Sequence, residues 1–494
     1  MSSETLQKAR EYEKKYSRYA DQERPAFHVT GQIGWINDPN GFSAYKGEYH
    51  LFFQYHPYSV EWGPMHWGHA KTKDFIKWEM LPAAIAPDSA ADCAGCFSGS
   101  AIELPDGKQL LMYTGVYRET REDGVTQDIQ HQCLAIGDGL EYEKFEGNPV
   151  LTAEHLPEGA SPNDFRDPHI WKEGDTYYSV VGNRPADGSG SLLVFESKDA
   201  FHWKFKTEMD ACHNEYGRMW ECPDIFGLDG KDVILVSPQE MVPLGVEFHA
   251  GFGTIVLLGK LDRETFKFQR EALHSIDYGI DFYAPQTLLT EDGRRVMIAW
   301  MENWTNVGCK LTDCRIFGAM TLPRELSIKN HRLIQNPVRE LENYRTKGVH
   351  YKNMIIHHSV NLAGVNGRHI DMTVQVSPLS GNGYNWFRME LAKDGEHGVS
   401  VRYKPGTNMI RVDRSRCGGR FDIVHTRDFV VFPHDGELKI RVVMDGNLLE
   451  LFFNDGEQAA TFKLYNKNLD ARSITFEADV PVQIDVEKYD LVVE

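Results

Sequence analysis

The chain has 494 residues, longer than one apolar core usually serves, and its 41% hydrophobic and 25% charged content is that of a globular protein with two domains. A formal net charge of −19 repels phosphate backbones and anionic membrane surfaces, which sets aside nucleic acid and lipid headgroups as partners. No stretch approaches the roughly 18 consecutive apolar residues of a membrane span, and eight cysteines in so long a chain read as free thiols of a reducing compartment, not a disulfide framework.

The first 27 residues form a charged segment. Met1-Ser2-Ser3-Glu4 leads into a Lys/Glu-rich stretch that ends near Arg24. It predicts a surface helix and lacks the apolar core of a signal peptide, so a cytoplasmic location is expected. From residue 28 onward helical periodicity is scarce, and short β-rich runs alternate with Gly, Asp, Asn and Pro turns. Apolar runs recur at Leu51-Phe52-Phe53, Leu110-Leu111-Met112, Ser179-Val180-Val181, Val233-Ile234-Leu235 and Val296-Met297-Ile298, about 54 to 69 residues apart. An acidic turn followed by an aromatic repeats with the same period: Asp74 with Trp78, Asp138 with Phe145, Asp199 with Trp203 and Asp262 with Phe268. The fold class is therefore all-β, and residues 28–335 are expected to form a five-bladed β-propeller. Residues 336–349 follow as a linker, with a short helix over Asn336 to Arg345. Alternating strands with Asp445-Gly446 and Asp455-Gly456 turns make residues 350–494 a β-sandwich. The sandwich serves as a support for the propeller or as a surface for homo-oligomerisation.

About 12 to 15 residues before each apolar run lies a polar cluster: Asn37-Asp38, Phe97-Ser98, Arg166-Asp167, Glu221 and Asp281. The first strand of each propeller blade lines the central channel, so one residue per blade at a shared phase converges on one pocket. Prolines follow three of the carboxylates, at 39, 168 and 223. A single Asp-Pro pair favours a plain turn, but the repetition at one phase points to a site. Retaining hydrolysis of a glycosidic bond needs one ionised carboxylate to attack and a second, protonated carboxyl to assist departure. Asp38, beside the Asn37 amide, suits the ionised nucleophile. Glu221, between Trp220 and Cys222, is expected in apolar, acid-rich surroundings that raise it toward the range of a general acid. Asp167, next to Arg166, is expected to stay ionised and to hydrogen-bond substrate hydroxyls or stabilise transition-state charge.

Four stretches, Trp35-Ile36-Asn37-Asp38-Pro39-Asn40-Gly41, Phe97-Ser98-Gly99-Ser100, Phe165-Arg166-Asp167-Pro168 and Trp220-Glu221-Cys222-Pro223, together resemble glycoside hydrolase family 32, which contains invertases, sucrose-6-phosphate hydrolases and fructanases. Gln54-Tyr55-His56-Pro57, the stretch from Trp62 to His69, Asp281-Phe282-Tyr283-Ala284 and Leu322 to Leu326 add to the resemblance, which spans the whole presumed propeller. The resemblance implies a β-fructofuranosidase with Asp38 as nucleophile, Asp167 as transition-state stabiliser and Glu221 as acid/base. It further implies that Asn37, Gln54, Trp62, Phe97, Ser98, Arg166 and Trp304 contact the fructosyl unit; Trp35 and Asp281 are expected with them. The chemistry requires no metal or organic cofactor, and His66 with His69 lacks the companion ligands of a metal site. The implied partner is a small fructoside: sucrose, sucrose 6-phosphate or a short fructo-oligosaccharide.

Three other readings share these residues. A fructosyltransferase intercepts the same covalent intermediate with sugar, an inverting pentosan hydrolase uses more widely spaced carboxylates, and a non-catalytic sugar-binding propeller dispenses with one of them. A phosphorylated substrate needs Arg, Lys or His at the pocket rim, for which Arg184 and Arg218 are candidates.

Overall fold

The computed structural model describes residues 3–493 apart from 312, 380–382, 419–422 and 467. Met1 and Ser2, which open the predicted charged segment, lie outside the described residues. The rest of that segment is an α-helix, Glu4–Tyr16, followed by a 3₁₀ helix, Ser17–Glu23. Ser3 caps the α-helix by accepting the Leu6 N–H at 3.1 Å, and Leu6 and Ala9 bury its apolar side against the first sheet.

Among the described residues the strands form seven sheets. Five are built from consecutive antiparallel strands. They begin at Gly34–Tyr45, Gly95–Glu103, Phe165–Glu173, Met219–Leu228 and Tyr283–Leu289. The two-residue strand Ile316–Phe317 adds to the edge of the first sheet, parallel to Gly34–Tyr45. Each recurring apolar run falls in the second strand of its sheet, where neighbours on both sides bury it. Each acidic turn joins the third strand to the fourth: Asp74, Asp138, Asp199 and Asp262 all use Oδ1 to accept backbone N–H groups two and three residues on. The first strand of each sheet packs against that of the next, and the fifth packs against the first, so the five close a ring.

The fifth sheet ends at Pro337, a 3₁₀ helix runs from Arg339 to Tyr344, and the strand Arg345–Ile356 already belongs to the next sheet. This makes the connection shorter than the predicted linker. Proline cannot donate to the ladder, and the strand stops there, so the predicted short helix is confined to the 3₁₀ turn that follows. The last two sheets, of six and five strands, share one apolar core that includes Val374, Ile440, Leu451, Phe387, Val401 and Phe476.

The two halves of the chain are bound by buried charge as well as by apolar contact. Arg324 donates to Glu450 at 2.6 and 3.0 Å and to Asp277 at 3.0 Å, and His28 lies between Asp445 (2.8 Å) and Glu450 (3.0 Å). These side chains are essentially inaccessible to water, so the pairing satisfies charges that burial would otherwise make costly.

Candidate active site

The site is made by five irregularities at one phase of five strands. Every first strand carries a β-bulge against its neighbour, spanning Asn37-Asp38, Ser98, Asp167-Pro168, Cys222-Pro223 and Ala284-Pro285. Proline is tolerated there because a bulge releases the ladder N–H. Asp167, Cys222 and Ala284 have left-handed φ values of 66°, 48° and 52°. Bulges re-aim side chains that a regular strand would alternate between faces. Here they turn Asp38, Ser98, Asp167 and Glu221 into one pocket of about 510 Å³ at one end of the ring.

Asp38 is 8% exposed. Its Oδ2 accepts the Ser98 hydroxyl at 2.8 Å and the Cys222 thiol at 3.4 Å, whereas the buried Oδ1 has no hydrogen-bond partner. Burial and the nearby Glu221 carboxylate push Asp38 above the usual carboxylate range; the Ser98 and Cys222 donors pull the other way. Asn37 is itself oriented by the Trp35 indole N–H, which donates to its Oδ1 at 2.7 Å.

Arg166 is committed chiefly to Glu221 and Asp164 and not, as adjacency suggested, to Asp167. Its guanidinium makes a forked contact with Glu221 Oε1, at 3.0 Å from Nε and 2.8 Å from Nη2, and donates to Asp164 at 2.6 Å. Asp167 approaches it only to 4.0 Å. Asp167 instead accepts the Cys222 backbone N–H at 2.9 Å. Burial raises Asp167, Arg166 offsets part of that, and the Glu221 and Asp38 charges add to it, leaving it at about 7. Close approach of the third and fourth sheets makes the Arg166–Glu221 pair reachable. Gly182 pairs with Arg166, and a Cβ there would lie 2.6 Å from the Trp220 carbonyl oxygen.

Glu221 is not in the apolar pocket expected of it, because Trp220 points away and donates to the Tyr216 carbonyl at 2.8 Å. The second oxygen of Glu221 lies 2.6 Å from Tyr283 Oη, which is also 3.0 Å from the Ser237 carbonyl oxygen. Sequence reasoning passed over Tyr283 as a site residue. A signal was present: Glu221-x-Pro223 and Tyr283-x-Pro285 share a spacing, and both residues form the last ladder pair before their bulge.

Asn37, Gln54, Trp62, Phe97, Ser98, Arg166 and Trp304 all line the pocket. Gln54 spends its amide hydrogens on Asn40 (2.7 Å) and the Cys96 carbonyl (3.1 Å), which leaves Oε1 as its acceptor. The half-exposed Trp62 meets Phe97 edge to face, with ring centroids 6.0 Å apart. Gln130, Asp164, Gln239 and Phe252 complete the wall, and only the Gly251-Phe252-Gly253 bracket marked any of them in sequence.

Two predicted contacts lie elsewhere. Trp35 is 1% exposed, stacked on Phe317 at 4.7 Å and beside Trp304 at 6.1 Å, so it supports the wall from behind. Asp281 is fully buried between the fifth sheet and the C-terminal sheets, where it pairs with Arg414 and accepts from Lys463 N at 2.7 Å and Asn306 Nδ2 at 3.1 Å. Asp281 precedes its strand by two residues, and the site phase of that strand belongs to Tyr283. Its consequence for the pocket is indirect, since Asn306 sits on the same loop as Trp304.

A polar floor with two buried carboxylates and the part-buried Glu221 beneath aromatic walls is the site of a glycoside hydrolase. Residues 28–337 match the N-terminal domain of glycosyl hydrolases family 32, and residues 340–489 match the C-terminal domain of that family. The chain belongs to family 32. It is similar to a sucrose-6-phosphate hydrolase of Bacillus subtilis, 37% identical over 457 residues that cover 90% of each chain. A raffinose invertase of Escherichia coli is 34% identical over 476 residues, 94% of each. Among solved structures, a family 32 beta-fructofuranosidase of Bombyx mori, a variant in complex with sucrose, superposes with a TM-score of 0.84 at 31% identity over 99% of both chains.

Proposed function

We propose that this chain is a retaining β-fructofuranosidase that releases the terminal fructosyl unit of sucrose through a covalent fructosyl-enzyme. The observation that carries the reading is that Asp38, Asp167 and Glu221 line one pocket with room for a sugar, with Asp38 held through one oxygen by Ser98 and Cys222. A carboxylate fixed in this way at the wall of the pocket is prepared to attack the anomeric carbon. Glu221 then protonates the departing oxygen and later deprotonates the incoming water. Tyr283 has one proton for two acceptors. Its hydroxyl at 2.6 Å from Glu221 Oε2, together with Arg166 on Oε1, holds the Glu221 carboxyl in place for proton transfer. Asp167, aimed by its left-handed backbone and held by the Cys222 N–H, provides the charge that stabilises an oxocarbenium-like transition state. Trp62, Phe97 and Trp304 stack on the fructosyl unit, and Asn37 and Gln54 bond its hydroxyls.

In this reading residues 28–335 are a five-bladed β-propeller and residues 350–494 a β-sandwich; the closed ring of first strands and the shared core of the last two sheets support it. All eight cysteines are free, which supports a reducing, cytoplasmic compartment. Release of equal glucose and fructose from sucrose by the wild type, and its loss in Asp38→Ala, is the expected result. Unchanged turnover by Asp38→Ala would remove the nucleophile from the proposal.

A further inference from the structure

We propose that the end of the five-sheet ring opposite the catalytic pocket holds a second, non-catalytic sugar site that takes a free hexose. The site stands on its own geometry and does not depend on the fructofuranosidase reading above.

The first strands of the sheets place it. Asp38, Ser98, Asp167 and Glu221 face the catalytic pocket, and four or five residues further along the same strands Ser43, Ile102, Trp171 and Phe226 line a second cavity of about 560 Å³. At about 3.3 Å per residue this cavity lies roughly 15 Å from the reacting carboxylates. Gln286 and Thr287, on the first strand of the fifth sheet, complete the circle.

Polar groups without partners gather at this end. Arg295 opens the second strand of the fifth sheet, and its guanidinium lies over the Phe226 ring, with Cζ 4.8 Å from the centroid. Its Nη1 reaches Thr287 Oγ1 at 3.4 Å, its buried Nε has no hydrogen-bond partner, and among the described residues no carboxylate pairs with it. Asp224, 1% exposed, stands directly behind the lining. Its Oδ2 accepts the Thr287 backbone N–H at 2.5 Å, whereas the buried Oδ1 has no hydrogen-bond partner and lies 3.6 Å from Nε2 of His169, which faces the cavity. Burial holds the His169 imidazole below its ordinary range, so the ring is neutral and carries one donor and one acceptor nitrogen. Buried polar groups are ordinarily satisfied, and an unused donor and an unused acceptor beside one cavity point to an occupant that supplies both.

The charges select its class. The lining carries three cations, Lys172, Arg263 and Arg295, against three carboxylates, Glu103, Glu173 and Asp232, and Arg263 is already paired with Asp232 at 2.7 Å and with Glu173 at 3.5 Å. A lining balanced in this way, with Asp224 behind it, attracts no anion strongly, and the guanidinium of Arg295 repels a cation. A neutral ligand whose hydroxyls both donate and accept satisfies Arg295, His169 and Thr287 together. Trp171 supplies the ring on which the C–H face of a sugar packs.

The test is a titration of the enzyme with glucose, followed by tryptophan fluorescence, with inorganic phosphate titrated in parallel. Both are repeated on Thr287→Val and Arg295→Gln, which change the cavity, and on Trp62→Ala, which changes the catalytic pocket. Glucose is expected to bind, with Kd raised about fivefold or more in each cavity variant, as the loss of one hydrogen bond implies, and unchanged in Trp62→Ala. Thr287→Val keeps the shape of the side chain, so its Tm is expected at the wild-type value, which separates lost binding from lost folding. A glucose response that disappears in Trp62→Ala and survives in both cavity variants places the sugar in the catalytic pocket and overturns the proposal. So does the absence of any saturable response to glucose, and saturable binding of phosphate that the cavity variants abolish overturns the choice of a neutral sugar.

Discussion

Replacing Ser98 with alanine removes the hydroxyl that donates to Asp38 Oδ2 at 2.8 Å. A hydrogen bond to a charged group contributes roughly 1.5–3 kcal/mol. The Cys222 thiol, a weaker donor at 3.4 Å, remains, so the low end of that range applies. Losing the donor disfavours the ionised carboxylate, which burial and Glu221 already push above its ordinary range. At about 1.4 kcal/mol per tenfold, the acidic limb of the profile of kcat/KM against pH moves up by about one pH unit. Activity on sucrose is lost earliest as the medium is acidified and is preserved within a few-fold on the plateau. Initial rates of glucose release across the acidic range read this directly. A uniform drop with the limb unmoved would refute the assignment of that limb to Asp38 and of Ser98 to its support.

Other outcomes follow from the same geometry. Glu221→Gln lowers kcat/KM for sucrose severely but lowers kcat/KM for a fructoside with an activated leaving group far less, because such a group needs little protonation in the first step; equal losses in a two-substrate comparison would remove Glu221 from the acid role. Arg414→Met leaves Asp281 buried without its ion pair, which is expected to cost about 3–5 kcal/mol in denaturant unfolding, and the loosened Asn306 loop is expected to raise KM through Trp304. His28 titrates with the opposite sign to a buried carboxylate. Burial alone would depress its imidazolium, but Asp445 and Glu450 overcome this and bring it to about 9. Its contribution, on the order of 3 kcal/mol at most, is complete below about pH 6.5 and fades as the pH rises through 9. Melting temperatures between pH 6 and about 9.5 are expected to fall for the wild type and to fall less for His28→Gln.

Much of the site was legible because the bulge is a local, repeated event. Asp38, Asp167 and Glu221 stand at one phase of three strands, and the prolines that mark the phase are in the sequence. The pairing of charges was not legible. Arg166 and Asp167 are neighbours in the chain, but consecutive side chains of a strand diverge, so Arg166 meets Glu221 of the next sheet. Asp281 was misplaced because counting from the apolar run ignores where the strand starts; it begins at Tyr283 and gives the site an aromatic hydroxyl instead of a carboxylate. Gln130, Gln239 and Phe252 reach the pocket from strand ends and loops, where no period constrains the residue type.

The most direct measurement of the central claim is the mass of the peptide containing Asp38 after Glu221→Gln is incubated with an activated fructoside. The first step then proceeds without acid assistance, while the second lacks its base. An added fructosyl unit on Asp38 that disappears when an external nucleophile such as azide is supplied is the expected result. An unmodified Asp38 peptide, or the adduct on Asp167, would contradict it.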